Sequence, residues 1–201
     1  EYGSFNLMRG VFNANGAIID ETLYVGINGQ YQQDDGWIEN EDPDRDSDFN
    51  KADDRRVNLN LTATPTDRFT ARLSLTNEYI REYGVDGFGL PAGESIDDYS
   101  RDDADHVDVD VPTKQVTENN AQSFAMAYDF GPVALNSVTT HKLLEFDASY
   151  DADFGNNSLY DGLTQFWNYE DENWTQELRL SSANTDGFRW VAGVYYEQES
   201  R

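Results

Sequence analysis

The sequence predicts an all-β protein, an antiparallel up-and-down meander of about eight strands, and three observations carry that expectation. Strand-like runs recur along the 201 residues, with apolar and polar side chains alternating at period two. The connections between runs alternate between compact and long. The negative charge follows the long connections rather than the strands.

In chain order the runs are Phe5–Asn13, Leu23–Gln33, Val57–Ala63, Phe69–Tyr83, Asn119–Phe130, Val133–Tyr150, Trp174–Ser182 and Phe188–Glu199. Compact turns follow the odd-numbered runs: Ala14-Asn15-Gly16, Thr64-Pro65-Thr66-Asp67, Gly131-Pro132 and Asn184-Thr185-Asp186-Gly187. Long acidic segments, Asp34–Asp54, Gly84–Glu118 and Asp151–Glu172, follow the even-numbered ones. In a meander this parity places every tight turn on one rim and every long loop on the other, the layout of transmembrane β-barrels.

The alternation is clearest from Phe69, where Phe69, Ala71, Leu73 and Leu75 oppose Thr70, Arg72, Ser74 and Thr76. Val57, Leu59, Leu61 and Ala63 oppose Arg56, Asn58, Asn60 and Thr62 in the same way. Trp174, Leu178 and Leu180 oppose Thr175, Glu177, Arg179 and Ser181, with Gln176 interrupting the apolar side. One apolar and one polar face suit two structures. A soluble sandwich packs the apolar face as a core. A membrane barrel turns it to lipid and lines its lumen with the other. Runs of 15 and 18 residues exceed the usual globular strand of about 5–6. Aromatic side chains gather at both rims: Tyr31, Trp37, Tyr79, Tyr83, Tyr150, Trp167, Tyr169, Trp174, Tyr195 and Tyr196 toward the long loops, and Phe12, Phe69, Phe130, Phe188 and Trp190 toward the turns. Such girdles mark bilayer interfaces.

Composition removes several function classes. The chain has 39 acidic and 14 basic residues, a net charge of −25, which argues against nucleic acid as a partner. The long segments hold −8, −8 and −6 of that charge, leaving the strands close to neutral. No cysteine is present, so disulfides and Cys-type zinc sites are excluded. No run of about 18 apolar residues occurs, which excludes a membrane helix but not a barrel. The chain opens at Glu1-Tyr2-Gly3-Ser4 and stops after a strand pattern, so an internal portion of a longer protein is expected.

Four segments resemble one family. Gly36-Trp37-Ile38-Glu39-Asn40 is similar to the DGYxxN stretch of TonB-dependent outer-membrane receptors, and Thr64-Pro65-Thr66-Asp67 to their xPTD periplasmic turn. Thr175-Gln176-Glu177-Leu178-Arg179-Leu180-Ser181-Ser182 resembles their xQELRLxS strand. Phe188-Arg189-Trp190-Val191-Ala192-Gly193-Val194-Tyr195-Tyr196 resembles the xWxxGxYY strand that follows it. The resemblance implies a 22-stranded barrel in the bacterial outer membrane, filled by a plug domain and driven through TonB. Its cargo would be a scarce small-molecule nutrient such as a ferric siderophore, cobalamin or a saccharide. Residues 1–201 would then be a partial barrel domain, without plug, TonB box or barrel C-terminus, in contact with outer-membrane lipid. The alternative is a soluble, acidic all-β binding module, calcium-assisted and carbohydrate-binding.

No catalytic constellation assembles, and an enzyme is not expected; His106 and His141, the only histidines, lack metal-pair spacing. No resident cofactor is expected beyond a candidate calcium loop. Asp42, Asp44, Asp46, Asp48, Asn50 and Asp53 occupy positions 1, 3, 5, 7, 9 and 12 of an EF-type loop. Ser47 stands where that loop has glycine, Asp53 is shorter than the usual glutamate, and no helices flank it, so a solvated acidic loop is the competing reading. Asp102, Asp103, Asp105, Asp108 and Asp110 form a second such cluster. Arg56, Arg72, Glu78, Glu177 and Arg179 on the polar face are expected to pair among themselves or with a plug rather than bind substrate. The acidic loops favour a neutral or cationic ligand, or bridging divalent ions; a saline habitat would produce the same surface without a ligand.

Overall fold

The computed structural model describes residues 1–42, 49–84, 95, 97, 105–111, 113–156, 158–182 and 187–201. Its strands are β1 (Met8–Ile19), β2 (Leu23–Asp34), β3 (Glu39–Asn40), β4 (Ala52–Thr66), β5 (Phe69–Tyr83), β6 (His106–Val107), β7 (Lys114–Asp129), β8 (Val133–Asp151), β9 (Thr164–Ser182) and β10 (Val191–Ser200). Eight form one sheet in the order β1-β2-β4-β5-β7-β8-β9-β10, every pair antiparallel. The expected meander is therefore observed, and no helix occurs among the described residues. β1 and β10 are its edge strands.

Three expectations need correction. Ala14-Asn15-Gly16 is not a turn: it lies inside β1, facing Ile27, Gly26 and Val25. The chain reverses at Asp20–Thr22 instead, where Glu21 takes a positive φ of 60° and Thr22 N–H donates to the Ile19 carbonyl. Small residues weaken a strand without ending it when a partner supplies the ladder. Phe12 consequently sits mid-strand, its ring over Gly29, and leaves the turn-side girdle. The second correction concerns charge. β4, β7 and β9 begin earlier than alternation suggested, at Ala52, Lys114 and Thr164. The connections between the sheet strands shrink to 35–51, 84–113 and 152–163, carrying −5, −8 and −2. The balance of the acidic rim belongs to the outer strand ends, at Asp34, Asp53, Asp54, Glu118, Asp151, Glu170, Asp171 and Glu172. Third, the short strands β3 and β6 pair in parallel, joining the first long connection to the second outside the meander.

Register assigns each side chain to a face, since directly paired residues point the same way. One face carries Leu23, Val25 and Ile27; Leu61 and Leu59; Leu73 and Leu75; Phe124 and Met126; Leu178 and Leu180; and Val194. The opposite face carries Asn28, Asn58 and Thr76, which hydrogen-bond in series: Asn58 Nδ2 to Asn28 Oδ1 at 2.9 Å and Thr76 Oγ1 to Asn58 Oδ1 at 2.7 Å. Ser74 Oγ donates to Asn60 Oδ1 at 2.8 Å beside them. Arg56 pairs across strands with Glu78, and Arg179 along its strand with Glu177. These charges are partnered within the sheet, as expected of them.

The leucine face is not a core. Leu178 and Leu180 are 40% and 41% exposed, Phe124 is 40% and Val194 is 68%. The only other sheet among the described residues is the β3–β6 pair, so no second layer covers these side chains there. Gln176, which interrupts the leucines, is satisfied locally: its Oε1 accepts from Thr139 Oγ1 at 2.5 Å and its Nε2 donates to Ser137 Oγ at 3.0 Å. β8 and β9 are 19 residues long, against the roughly 9–11 that cross a bilayer. Their outer halves therefore stand clear of the leucine band.

Candidate functional site

Beyond the sheet, the described residues build on the long-connection rim. Phe49, Val107 and Val109 form a small buried cluster with Ile38 packed against it. Segment 105–111 is the central piece. Glu39 N–H donates to the Asp105 carbonyl at 2.7 Å and Glu41 N–H to the Val107 carbonyl at 2.7 Å. Asn40 extends this ladder with its side chain, donating through Nδ2 to the Val109 carbonyl and accepting from Val109 N–H through Oδ1, both at 3.0 Å. Val109, 2% exposed, is thereby fixed beneath the first connection. Gly84 adopts φ +81°, and a Cβ there would meet the Phe49 carbonyl oxygen at 2.8 Å, so only glycine lets β5 end beneath this cluster.

On its other side segment 105–111 holds the third connection. Asn156 Nδ2 donates to Asp108 Oδ1 at 3.0 Å, and Gly162 N–H to Asp110 Oδ2 at 2.8 Å. Asp110, Asp151 and Asp153 converge here, one oxygen of each within 4.8 Å of the others. Asp110 and Asp151 are 3% and 1% exposed. Burial, with Asp153 and Asp110 adding, pushes the Asp151 carboxyl up to about 6; that residue closes the outer end of β8, beyond the leucine band.

The polar face carries an aromatic patch below this rim. Phe146 and Tyr169 stack at 4.8 Å with 20° between planes, and Tyr150 meets the Trp167 edge at 6.1 Å and 85°. Tyr150 Oη donates to Gln115 Oε1 at 3.0 Å. Trp167 and Tyr169 are each about half exposed. Counting parity in from Trp174 would have shown that Trp167 and Tyr169 do not belong to an interface girdle; only the register of β8 and β10 on β9 removes Tyr150 and Tyr195 as well. Tyr31, Tyr79, Trp174 and Tyr196 do lie on the leucine face, near its outer limit.

Of the candidate calcium loop, Asp42 is buried at 8% exposure beside Asn40, whose Oδ1 accepts from Asp42 N–H at 3.4 Å. Asn50 Oδ1 accepts from the N–H groups of Trp37 and Ile38 at 2.8 Å. Asp53 lies in β4 and pairs with Arg81 at 2.7 Å. Asp44, Asp46 and Asp48 fall outside the described residues, as do Asp102 and Asp103. The two histidines are placed separately. His141 stacks on Trp174 at 4.1 Å and meets Glu172 Oε1 at 2.9 Å.

His106 Nδ1 lies 2.7 Å from Asp105 Oδ1 at the exposed end of the β3–β6 ladder. That hydrogen bond, with the carboxylate charge, raises the imidazole above its ordinary 6.5 and lowers Asp105 below the usual carboxylate range. The histidine contribution is complete below 6.5 and is lost as pH rises through the raised value. The carboxylate contribution is present above the ordinary range and is lost as pH falls through the lowered one. Exchange protection of the Glu39 amide, corrected for intrinsic rate, is therefore expected to hold below pH 6.5 and to fall as pH rises above it. His106→Gln should remove that dependence.

An extended antiparallel meander with one exposed apolar face, tight turns after β1, β4 and β7 on one rim and the long connections on the other has the fold of a stretch of β-barrel wall; of the turn expected at Asn184–Gly187, positions 184–186 lie outside the described residues. The chain is similar to the ferric-catecholate import receptor Fiu of E. coli K12, in its closed form, with a TM-score of 0.64 over 98% of this chain. Sequence identity is 15%, and the chain spans 30% of the length of that receptor. The likeness is one of fold. No family model matches the chain, and no curated protein matches it.

Proposed function

We propose that the chain is part of the barrel wall of a TonB-dependent outer-membrane receptor that takes up a scarce nutrient, and that the nutrient is neutral or cationic. The half-exposed leucine face carries the first part: it is continuous across the sheet and long enough to meet the hydrocarbon of a bilayer. The opposite face then lines the lumen, and the connections form the outer vestibule. The plug domain and TonB are the partners this reading requires. A soluble binding module would need a second layer packed on the same leucines.

The acidic rim and the aromatic patch support the second part. Connections 35–51 and 84–113 hold sixteen acidic and three basic residues, a field that repels anions over about 8 Å at physiological ionic strength. Phe146, Tyr169 and Trp167 offer ring faces for stacking on the wall below. A saccharide or a corrinoid suits that combination better than an anionic ferric siderophore.

Binding to the complete protein in detergent tests this, using neutral oligosaccharides, cobalamin and an anionic ferric catecholate at 20 and 300 mM salt. We expect a neutral or cationic ligand to bind, and cellular uptake of it to stop when TonB is deleted. Ferric catecholate binding that weakens with added salt would overturn the charge assignment. Uptake indifferent to TonB would overturn the receptor reading.

A further inference from the structure

We propose that Asp110, Asp151 and Asp153 form a calcium site that ties the second long connection to the third. The three side chains come from different parts of the rim: segment 105–111, the last residue of β8, and the start of connection 152–163. Each of the two most buried carboxylates is held by one oxygen and leaves the other free. Asp110 Oδ2 accepts from Gly162 N–H at 2.8 Å, and Asp151 Oδ1 accepts from Asp153 N–H at 3.1 Å. Asp110 Oδ1, Asp151 Oδ2 and Asp153 Oδ1 are then buried with no hydrogen-bond donor. Asp110 and Asp151, at 3% and 1% exposure, cannot turn to water for one.

Three converging carboxylates, each with a buried donorless oxygen, are costly unless a positive species meets them. No lysine or arginine occurs in 152–163, and the basic residue nearest Asp110 along the chain, Lys114, has already entered β7. A proton shared between two carboxyls serves two oxygens and leaves the third unmet. A hard cation serves all three. One oxygen of each carboxylate lies within 4.8 Å of the others, close enough for the three residues to share one coordination shell of 2.3–2.6 Å, the range for calcium, whose irregular shell also admits carbonyls and water. Magnesium requires a tighter, regular octahedron at about 2.0–2.1 Å. The ion would pin segment 105–111, and with it Val109 and the β3–β6 ladder, so calcium would order all three connections together. This inference does not depend on the nutrient or on TonB.

Calorimetry on the complete purified protein, stripped with EDTA and titrated with calcium chloride and separately with magnesium chloride, tests it. The expected result is one calcium site with a Kd of about 10⁻⁵–10⁻³ M, preferred over magnesium. Asp110→Asn and Asp151→Asn should each weaken it at least tenfold, and Asp161→Asn should not. Asp153→Asn, at the more exposed position, is the variant least able to disturb folding and should also weaken binding. Calcium should slow proteolysis within 152–163 in the wild type and not in these variants. The proposal is overturned by absence of calcium heat at millimolar metal, or by unchanged affinity in the three asparagine variants. It is equally overturned if Asp44→Asn with Asp46→Asn removes the heat while Asp110→Asn retains it.

Discussion

Arginine in place of Leu73 or Leu59 is expected to cost roughly 2–4 kcal/mol of folding stability in a bilayer, the penalty for a lipid-facing position near the midplane. Both leucines lie on neighbouring strands in the middle of the exposed apolar face, Leu59 opposite Leu75 and Leu61 opposite Leu73. The charge would be forced into hydrocarbon or would thin the bilayer around it. Arginine at Thr70, on the opposite face beside Ala127, should cost much less, because that side meets water or polar side chains. Asn58 is a less clean control, since it bonds both Asn28 and Thr76. Equilibrium unfolding from lipid vesicles measures the difference. Equal penalties on the two faces would contradict the barrel assignment.

Phe49→Ala is expected to release the connections without loosening the sheet. Phe49 is 5% exposed and packs with Val107 and Val109 in the buried cluster of the rim. Truncating a buried phenylalanine costs about 3 kcal/mol or more, and here the loss falls on a local unit rather than the whole fold. Amide exchange at Glu39, Glu41 and Val109, whose N–H groups join the first connection to segment 105–111, should accelerate on the order of 100-fold, the kinetic equivalent of that energy. Amides of β5 and β8 should be unaffected. Acceleration throughout the sheet would show that the cluster supports more than the rim.

The sheet was legible because its signal is local. A period-two run such as Phe69–Leu75 declares its two faces without reference to any other segment, and Thr64–Asp67 and Gly131–Pro132 mark reversals by composition alone. The error at Ala14–Gly16 shows the limit: a short Asn-Gly pair reads as a turn, yet β2 supplies Ile27, Gly26 and Val25 to hold it extended. Strand starts were missed for a related reason. Lys114–Glu118 and Thr164–Asn173 lack the regular apolar alternation of the inner strand halves, being parts of strands that rise beyond the apolar band.

The rim was illegible because its contacts are distant in sequence. Asn40 meets Val109 across 69 positions, and Asp110 meets Gly162 across 52. Spacing within one segment drew attention to Asp42–Asp53, where Asp53 instead pairs with Arg81. The convergent carboxylates of Asp110, Asp151 and Asp153 come from two connections and a strand end, and no spacing rule joins them.

Whether the leucine face meets lipid can be measured directly, because residues 1–201 contain no cysteine to compete with labels placed there. Single cysteines placed at each position from Phe69 to Tyr79 in the complete protein, spin-labelled and reconstituted in vesicles, report access to oxygen and to a water-soluble relaxant. Positions 69, 71, 73, 75 and 77 should favour oxygen, and positions 70, 72, 74, 76 and 78 should not, with the contrast greatest near Leu73. Labels at the odd positions that are inaccessible to both agents, as in a packed core, would show that the leucine face does not meet lipid.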